Sequence, residues 1–144
     1  MTTVDFTISQ EEKDELIGKY SNLGKNSDVG KLAVEIAKKY FSKIMPGVKF
    51  IENRNGVDIM VDYNGKMTGY EIKGTVDSGL AWPKLKVSSQ RCYENIKNGM
   101  EIMRIVSIGQ LQMKIYFLKN GEDFELQPEP RWCVKPICKK NANS

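Results

Sequence analysis

An Asn-Gly pair between two runs of alternating apolar residues constrains the fold of this chain more than any other feature. The pair is Asn64-Gly65, and the runs occupy residues 57–63 and 66–73. Asn and Gly readily adopt the positive φ angles that a two-residue hairpin turn requires. The sequence therefore predicts two antiparallel strands joined at this turn.

The turn also determines which residues face one another across the hairpin. With Tyr63 opposite Lys66, the same register places Asp58 opposite Glu71, with Cβ atoms about 4.5–5.5 Å apart. Side chains alternate along a strand, so Asp58, Glu71 and Lys73 share one face. The other face carries the apolar residues Val57, Ile59, Val61, Tyr70 and Ile72. Two facing carboxylates are destabilising unless a cation lies between them, so we expect a divalent metal ion there, beside Lys73.

Caps and apolar periodicity predict the remaining elements. Ser9 and Glu12 form a capping box that opens a helix ending near Tyr20. A longer helix, capped by Ser27 or Asp28, carries a stripe at helical spacing: Val29, Leu32, Ala33, Ile36, Ala37, Tyr40 and Ile44. After it we predict a strand at 48–51, the hairpin, a loop at 76–86, a helix over about 88–98, and strands at 102–108 and 113–118.

This order of elements predicts an α/β fold with a mixed β-sheet flanked by helices. The helix after the hairpin lets the next strand return parallel to the Glu71 strand. We expect a single domain over residues 1–144. It would comprise an N-terminal helix and loop (1–27), a core (28–118) and an irregular basic tail (119–144).

The hairpin residues resemble a known nuclease motif. Gly-Val-Asp-Ile at 56–59, a hairpin, and Glu-Ile-Lys-Gly-Thr at 71–75 are similar to the core motif of the PD-(D/E)xK nuclease superfamily. The resemblance covers roughly residues 28–118 and is greatest to the NO VEIN C-terminal-like domain. It implies a restriction-endonuclease-like core and a Mg²⁺-dependent nuclease, with Mn²⁺ as a substitute. The expected reaction is cleavage of phosphodiester bonds, DNA being the favoured substrate, by an endonuclease.

The absence of histidine limits the chemistry of such a site. With no histidine in the chain, Ser-His-Asp and Cys-His catalysis and histidine-based metal sites are excluded. Catalysis would rest on carboxylates, lysine and a metal bound by oxygen. Asp58, Glu71 and the Ile72 carbonyl would bind Mg²⁺, and Lys73 would orient the attacking water or stabilise developing charge. The alternative is a surface ion cluster on a solvent-facing sheet.

The resemblance also suggests two supporting catalytic residues. Glu35 corresponds to the glutamate that the superfamily often contributes from its first core helix. It lies opposite the apolar stripe, so a solvated helix face is an alternative. Gln90 resembles a glutamine that orients water or substrate in some members. Related exonucleases have a tyrosine four residues after that glutamine, whereas Tyr93 follows Gln90 by three. The alternative for Gln90 is an exposed residue at the start of a helix.

Basic residues follow the hairpin and suggest contacts with phosphate. Lys84, Lys86 and Arg91 would bind nucleic acid, although a solvated helix face explains them as well. The basic tail residues, Arg131, Lys135, Lys139 and Lys140, allow the same two interpretations. A net charge of +4 permits a polyanionic partner without requiring one. The rival function is a catalytically silent module that binds nucleic acid or protein; a purely structural module is a third possibility.

Composition and the termini give expectations about location and assembly. No apolar stretch approaches the roughly 20 residues that cross a bilayer, and the first residues lack the features of a signal peptide. Three cysteines cannot complete a disulfide framework, so we expect a reducing cytoplasm and no membrane partner. Trp82, Phe124 and Trp132 lie outside the predicted elements. They would either cover a homodimer interface or fold back on their own sheet.

Overall fold

The computed structural model describes residues 1–129 and 134–137, and a six-stranded mixed β-sheet organises them. In chain order the elements are β1 (Thr2–Thr7), α1 (Gln10–Lys19), α2 (Asn26–Ile44), β2 (Lys49–Arg54), β3 (Val57–Tyr63), β4 (Lys66–Gly74), a 3₁₀ turn (Trp82–Lys84), α3 (Gln90–Lys97), β5 (Glu101–Val106) and β6 (Gln112–Leu118). The strands are ordered β1-β6-β5-β4-β3-β2 across the sheet. The predicted α/β class, a mixed sheet flanked by helices, is confirmed.

The hairpin forms in the predicted register. Tyr63 pairs with Lys66, and the antiparallel ladder continues to the pair Ile59–Tyr70. After α3 the chain returns as β5, which pairs in parallel with β4. Glu71 lies opposite Ile102 in that parallel pair, so α3 connects the two central strands.

One face of the sheet is covered by α1 and α2. The main core joins these helices to the apolar side of the hairpin, including Ile59, Val61 and Ile72. Two details of α2 differ from the expectation. It begins at Asn26, so the predicted caps Ser27 and Asp28 lie inside it, and the N-cap residue Lys25 makes no side-chain cap. Asp28 instead accepts the Asn22 N–H at 3.1 Å.

The end of the α2 stripe also differs. Ile44 is half exposed and Phe41 is buried in its place. Phe41 is four residues after Ala37, so it continues the buried helix face. Its ring packs 5.2 Å from that of Tyr70 on the hairpin, which joins the last turns of α2 to β4.

The N-terminal segment contributes a strand that the sequence analysis did not predict. Residues 1–27 were expected to supply a helix and a loop, but β1 pairs antiparallel with β6 at the edge of the sheet. Val4, Phe6 and Ile8 alternate toward the core. That alternation, within a run rich in threonine, is the pattern of a half-buried strand.

The opposite face of the sheet is covered by α3 and the segment after β6. Cys92 and Ile96 of α3 form a second apolar cluster with strand residues, and Phe124 packs against it. Phe124 therefore folds back on its own sheet, whereas Trp82 is 43% exposed. Trp132 and the basic residues Arg131, Lys139 and Lys140 lie outside the described residues. In the described part of the chain, no helix has both the length and the apolar character needed to span a membrane.

Candidate functional site

The two strands of the hairpin change their hydrogen bonding at the predicted site. Beyond the Ile59–Tyr70 pair, Asp58 Oδ2 accepts the backbone N–H of Ile72 at 2.8 Å. A strand residue directs its N–H and its carbonyl toward the same neighbouring strand. The Ile72 carbonyl is therefore directed to the side of β4 on which Asp58 lies. The Asp58 carboxylate and the Ile72 carbonyl, which are expected to share a metal ion, therefore lie on the same side of β4.

Glu71 lies beside Asp58 and is largely removed from solvent. It is only 7% exposed, and its Oε2 accepts a hydrogen bond from the thiol of Cys92. Burial and a hydrogen bond with Asp58 raise the pKa of Glu71 to about 7, although the nearby Lys73 and the Cys92 thiol oppose the rise. The carboxyl of Glu71 therefore carries a proton in most molecules below about pH 7, and a bound cation would displace it.

Cys92 is a site residue that the sequence analysis missed. It is buried in the first turn of α3, where its N–H donates to the Ser89 side chain at 3.0 Å. Burial and the neighbouring Glu71 raise the pKa of the Cys92 thiol to about 12, so it stays a neutral S–H donor. Its spacing of four residues from Ile96 places both on the buried face of α3, and that spacing was visible in the sequence.

Lys73 lies on the same strand face as Glu71, as predicted. It is half-buried, and among residues 1–129 and 134–137 no carboxylate oxygen lies within 4.0 Å of its ammonium group. It lines an open cleft of about 350 Å³ together with Asp58, Glu71, Ser88, Ser89 and Cys92. Within the described residues Lys73 therefore differs from Lys84 and Lys86, which form ion pairs, and its charge acts on the nearby Glu71.

Close packing at Gly56 fixes one wall of the cleft. A Cβ on Gly56 would lie 2.7 Å from Arg91 Cβ and 2.9 Å from the Cys92 nitrogen. Arg91 also donates to Asn55 Oδ1 at 2.7 Å, and Asn95 donates to the Asn55 carbonyl at 2.9 Å. The turn between β2 and β3 therefore rests directly on α3, which places Cys92 against Glu71.

A buried arginine fixes the loop on the other side. Arg104 is 2% exposed, and its guanidinium donates to the carbonyls of Leu80 at 2.9 Å, Gly74 at 3.3 Å and Ala81 at 3.4 Å. Its burial lowers the pKa of the guanidinium. Arg104 pairs with Lys73 across the parallel strands. A lone arginine within the apolar run of β5 is the sequence signal for this buried role.

The three residues expected to bind nucleic acid are exposed, but each has a partner within the chain. Lys84 pairs with Asp77 at 2.7 Å, and Lys86 pairs with Glu129 at 2.6 Å. Arg91 is held by the Asn55 contact. Exposed ion pairs are worth only about 0–1 kcal/mol, so a phosphate can displace either carboxylate at small cost.

The geometry does not bring Glu35 or Gln90 into the cleft. Glu35 forms an ion pair with Lys38 at 3.2 Å on α2, which covers the opposite face of the sheet from Glu71. The solvated-face alternative describes it better than a catalytic role. Gln90 begins α3 beside the cleft, but it is exposed and donates along the helix to Glu94 at 3.3 Å.

The donor set suits a magnesium ion better than a metal enclosed by protein. No group of three or more His, Cys, Asp and Glu side chains in the described residues is arranged to hold a metal. Asp58 and Glu71 provide two carboxylates on the lining of an open cleft, and the Ile72 carbonyl is directed to the Asp58 side of β4. Mg²⁺ is typically bound by one or two carboxylates and completes its shell with water and substrate phosphate.

No family model, curated protein or solved structure matches the chain.

Proposed function

We propose that the protein is a Mg²⁺-dependent nuclease that hydrolyses phosphodiester bonds in DNA, built on a restriction-endonuclease-like core. The observation that carries the proposal is the convergence of Asp58, Glu71 and Lys73 in one open cleft. The resemblance of residues 56–59 and 71–75 to the PD-(D/E)xK motif supports it.

Each residue has a role that follows from its position. Asp58, Glu71 and the Ile72 carbonyl would hold the ion, which would supply Lewis acidity and an acidified water. Glu71 would serve as a carboxylate, its proton released to solvent, and the Cys92 thiol orients it by donating to Oε2. Lys73 aligns the attacking water or stabilises the negative charge that develops on the phosphate.

The roles of Lys73 and the carboxylates can be separated by measurement. Lys73→Ala should lower cleavage of labelled DNA by orders of magnitude and leave binding nearly unchanged, because one lysine is a small part of the phosphate contact. Lys66→Ala, at the other end of the same strand, is the matched control and should cleave normally. Loss of binding with normal turnover of bound DNA would contradict the assignment.

Metal binding is tested through Asp58. Asp58→Asn keeps an oxygen for the Ile72 N–H but removes one charge from the carboxylate pair. The apo variant should therefore be no less stable than wild type, while Mg²⁺ or Mn²⁺ should no longer raise its melting temperature. Asp62→Asn, on the same strand outside the cleft, should keep the metal-dependent rise. Equal metal stabilisation in the two variants would exclude this site.

A silent binding module is the second candidate, favoured by the contact of Cys92 with Glu71. In that case the neutral Glu71–Cys92 pair would close the cleft wall, and no ion would bind. Cleavage would then be absent with either metal, and Lys73→Ala would weaken binding alone.

A further inference from the structure

A second cleft adjoins the candidate active site and shares Lys73 with it. Its volume is about 170 Å³, and most of its lining is apolar: Trp82, Leu85, Val87, Leu118, Phe124 and Leu126. Pockets for drug-sized ligands typically measure about 300–1,000 Å³. This cleft therefore suits a single planar ring system.

Trp82 is presented to this cleft by a fixed loop. The carbonyls of Leu80 and Ala81, which precede it, are both held by the buried Arg104. Ala81 has a φ of 50°, a left-handed conformation that alanine adopts only when its surroundings impose it. The backbone that leads into the exposed Trp82 is therefore held in place before any ligand arrives.

Charged residues of both signs line the cleft. Lys73 and Lys86 lie on its lining, and so does Glu125. A phosphate is attracted to Lys73, where the two clefts meet, and repelled by Glu125. The carboxylate of Glu125 can instead accept a hydrogen bond from an exocyclic amino group of a base. The pattern fits an aromatic base inside the cleft and its phosphate at Lys73.

We propose that this cleft receives one unpaired nucleobase, stacked on Trp82, from DNA whose adjoining phosphate lies at Lys73. The inference rests on the proposed nuclease function and adds a substrate class to it. A base inside a continuous duplex is stacked between its neighbours and must be extruded before it can enter a pocket. The protein therefore prefers DNA with an unpaired nucleotide, such as a flap, a gap or a single-stranded end, over continuous duplex.

The test measures binding, not cleavage, in the Asp58→Asn background. Two labelled DNAs of the same sequence are compared, one a continuous duplex and one with a single unpaired nucleotide. The DNA with the unpaired nucleotide should bind more tightly, and adding Trp82→Ala should reduce this preference by roughly 5- to 150-fold, the loss of one base–aromatic stack. Trp82→Phe should retain most of the preference.

Tyr93→Ala is the matched control, because Tyr93 is an aromatic residue of similar exposure on α3 that lines neither cleft. It should leave the preference unchanged. Equal binding of the two DNAs, or equal weakening of both by Trp82→Ala, would overturn the proposal. Thermal melts verify that the variants are folded, which is expected because Trp82 is exposed.

The two proposals fail separately. If cleavage is absent with Mg²⁺ but the Trp82-dependent preference is present, the nucleobase cleft stands and the nuclease function falls. If DNA is cleaved in a Lys73-dependent manner without any preference for unpaired nucleotides, the nuclease stands and the cleft assignment is overturned.

Discussion

At the scale of single residues, the proton on Glu71 connects stability to the proposed chemistry. Its carboxyl has a pKa of about 7 in the folded chain, against an ordinary value of 4.5, because it is buried beside Asp58. Between these two values the folded state holds more protons than the unfolded state. Stability therefore falls as the pH rises from about 4.5 to about 7. Below about pH 4.5 Glu71 is protonated in both the folded and the unfolded state, and its burial costs no stability. Above about pH 7 it is ionised in both states, and the full loss of stability is present.

This linkage predicts a specific pH profile. The loss across the window is on the order of 3 kcal/mol, from 1.36 kcal/mol per pKa unit. Denaturant unfolding between pH 5 and pH 8 should therefore show wild type losing stability relative to Glu71→Gln, which keeps the shape without the charge. Glu15→Gln, an exposed glutamate on α1, should follow the wild-type profile. A profile of Glu71→Gln parallel to that of wild type would contradict the assigned pKa.

At the scale of elements, the contact between the β2–β3 turn and α3 determines the shape of the cleft. Gly56 and Gly65 both have a φ of +75°, so alanine at either position suffers the same backbone strain, about 1–2 kcal/mol. A methyl group on Gly56 would lie within 3 Å of backbone atoms of α3, whereas one on Gly65 would meet open space. Comparing the two alanine variants therefore separates the cost of backbone strain from the cost of displacing α3.

The prediction compares these two substitutions. Gly56→Ala should destabilise the protein by more than Gly65→Ala in denaturant melts, because α3 must move to admit the methyl group. The displaced helix should also expose Cys92, so a thiol reagent should react faster with Gly56→Ala than with Gly65→Ala under native conditions. Equal stability losses with equally slow labelling would show that the turn does not support α3.

The elements also show what the sequence could predict and where it stopped. The Asn-Gly turn determined the register as far as Ile59–Tyr70 because a two-residue turn leaves one pairing. It could not show that the ladder gives way at Asp58, since that depends on a side-chain contact with Ile72. The roles of Cys92 and Arg104 depend on how α3 and the 76–86 loop pack on the sheet. Such packing joins residues distant in sequence, and local patterns do not encode it.

At the scale of the whole molecule, two of the basic residues around the clefts are paired with acidic side chains. The net charge is only +4, and Lys84 and Lys86 are paired with Asp77 and Glu129. Under the proposed function, attraction to DNA would come from Lys73 and from lysines whose ion pairs open on binding. Because such pairs contribute little when exposed, the exchange of carboxylate for phosphate costs little free energy.

The salt dependence of binding tests this exchange. Each phosphate contact with duplex DNA contributes about 0.9 to the slope of log K against log salt. Lys84→Ala combined with Lys86→Ala should therefore weaken binding and reduce that slope by up to about 2, with the Lys73-dependent cleavage of bound DNA preserved. Lys66→Ala combined with Lys114→Ala removes the same charge from residues that line neither cleft, and its slope should match wild type. Equal slopes for the two double variants would mean that net charge, and not the lysines beside the clefts, attracts the DNA.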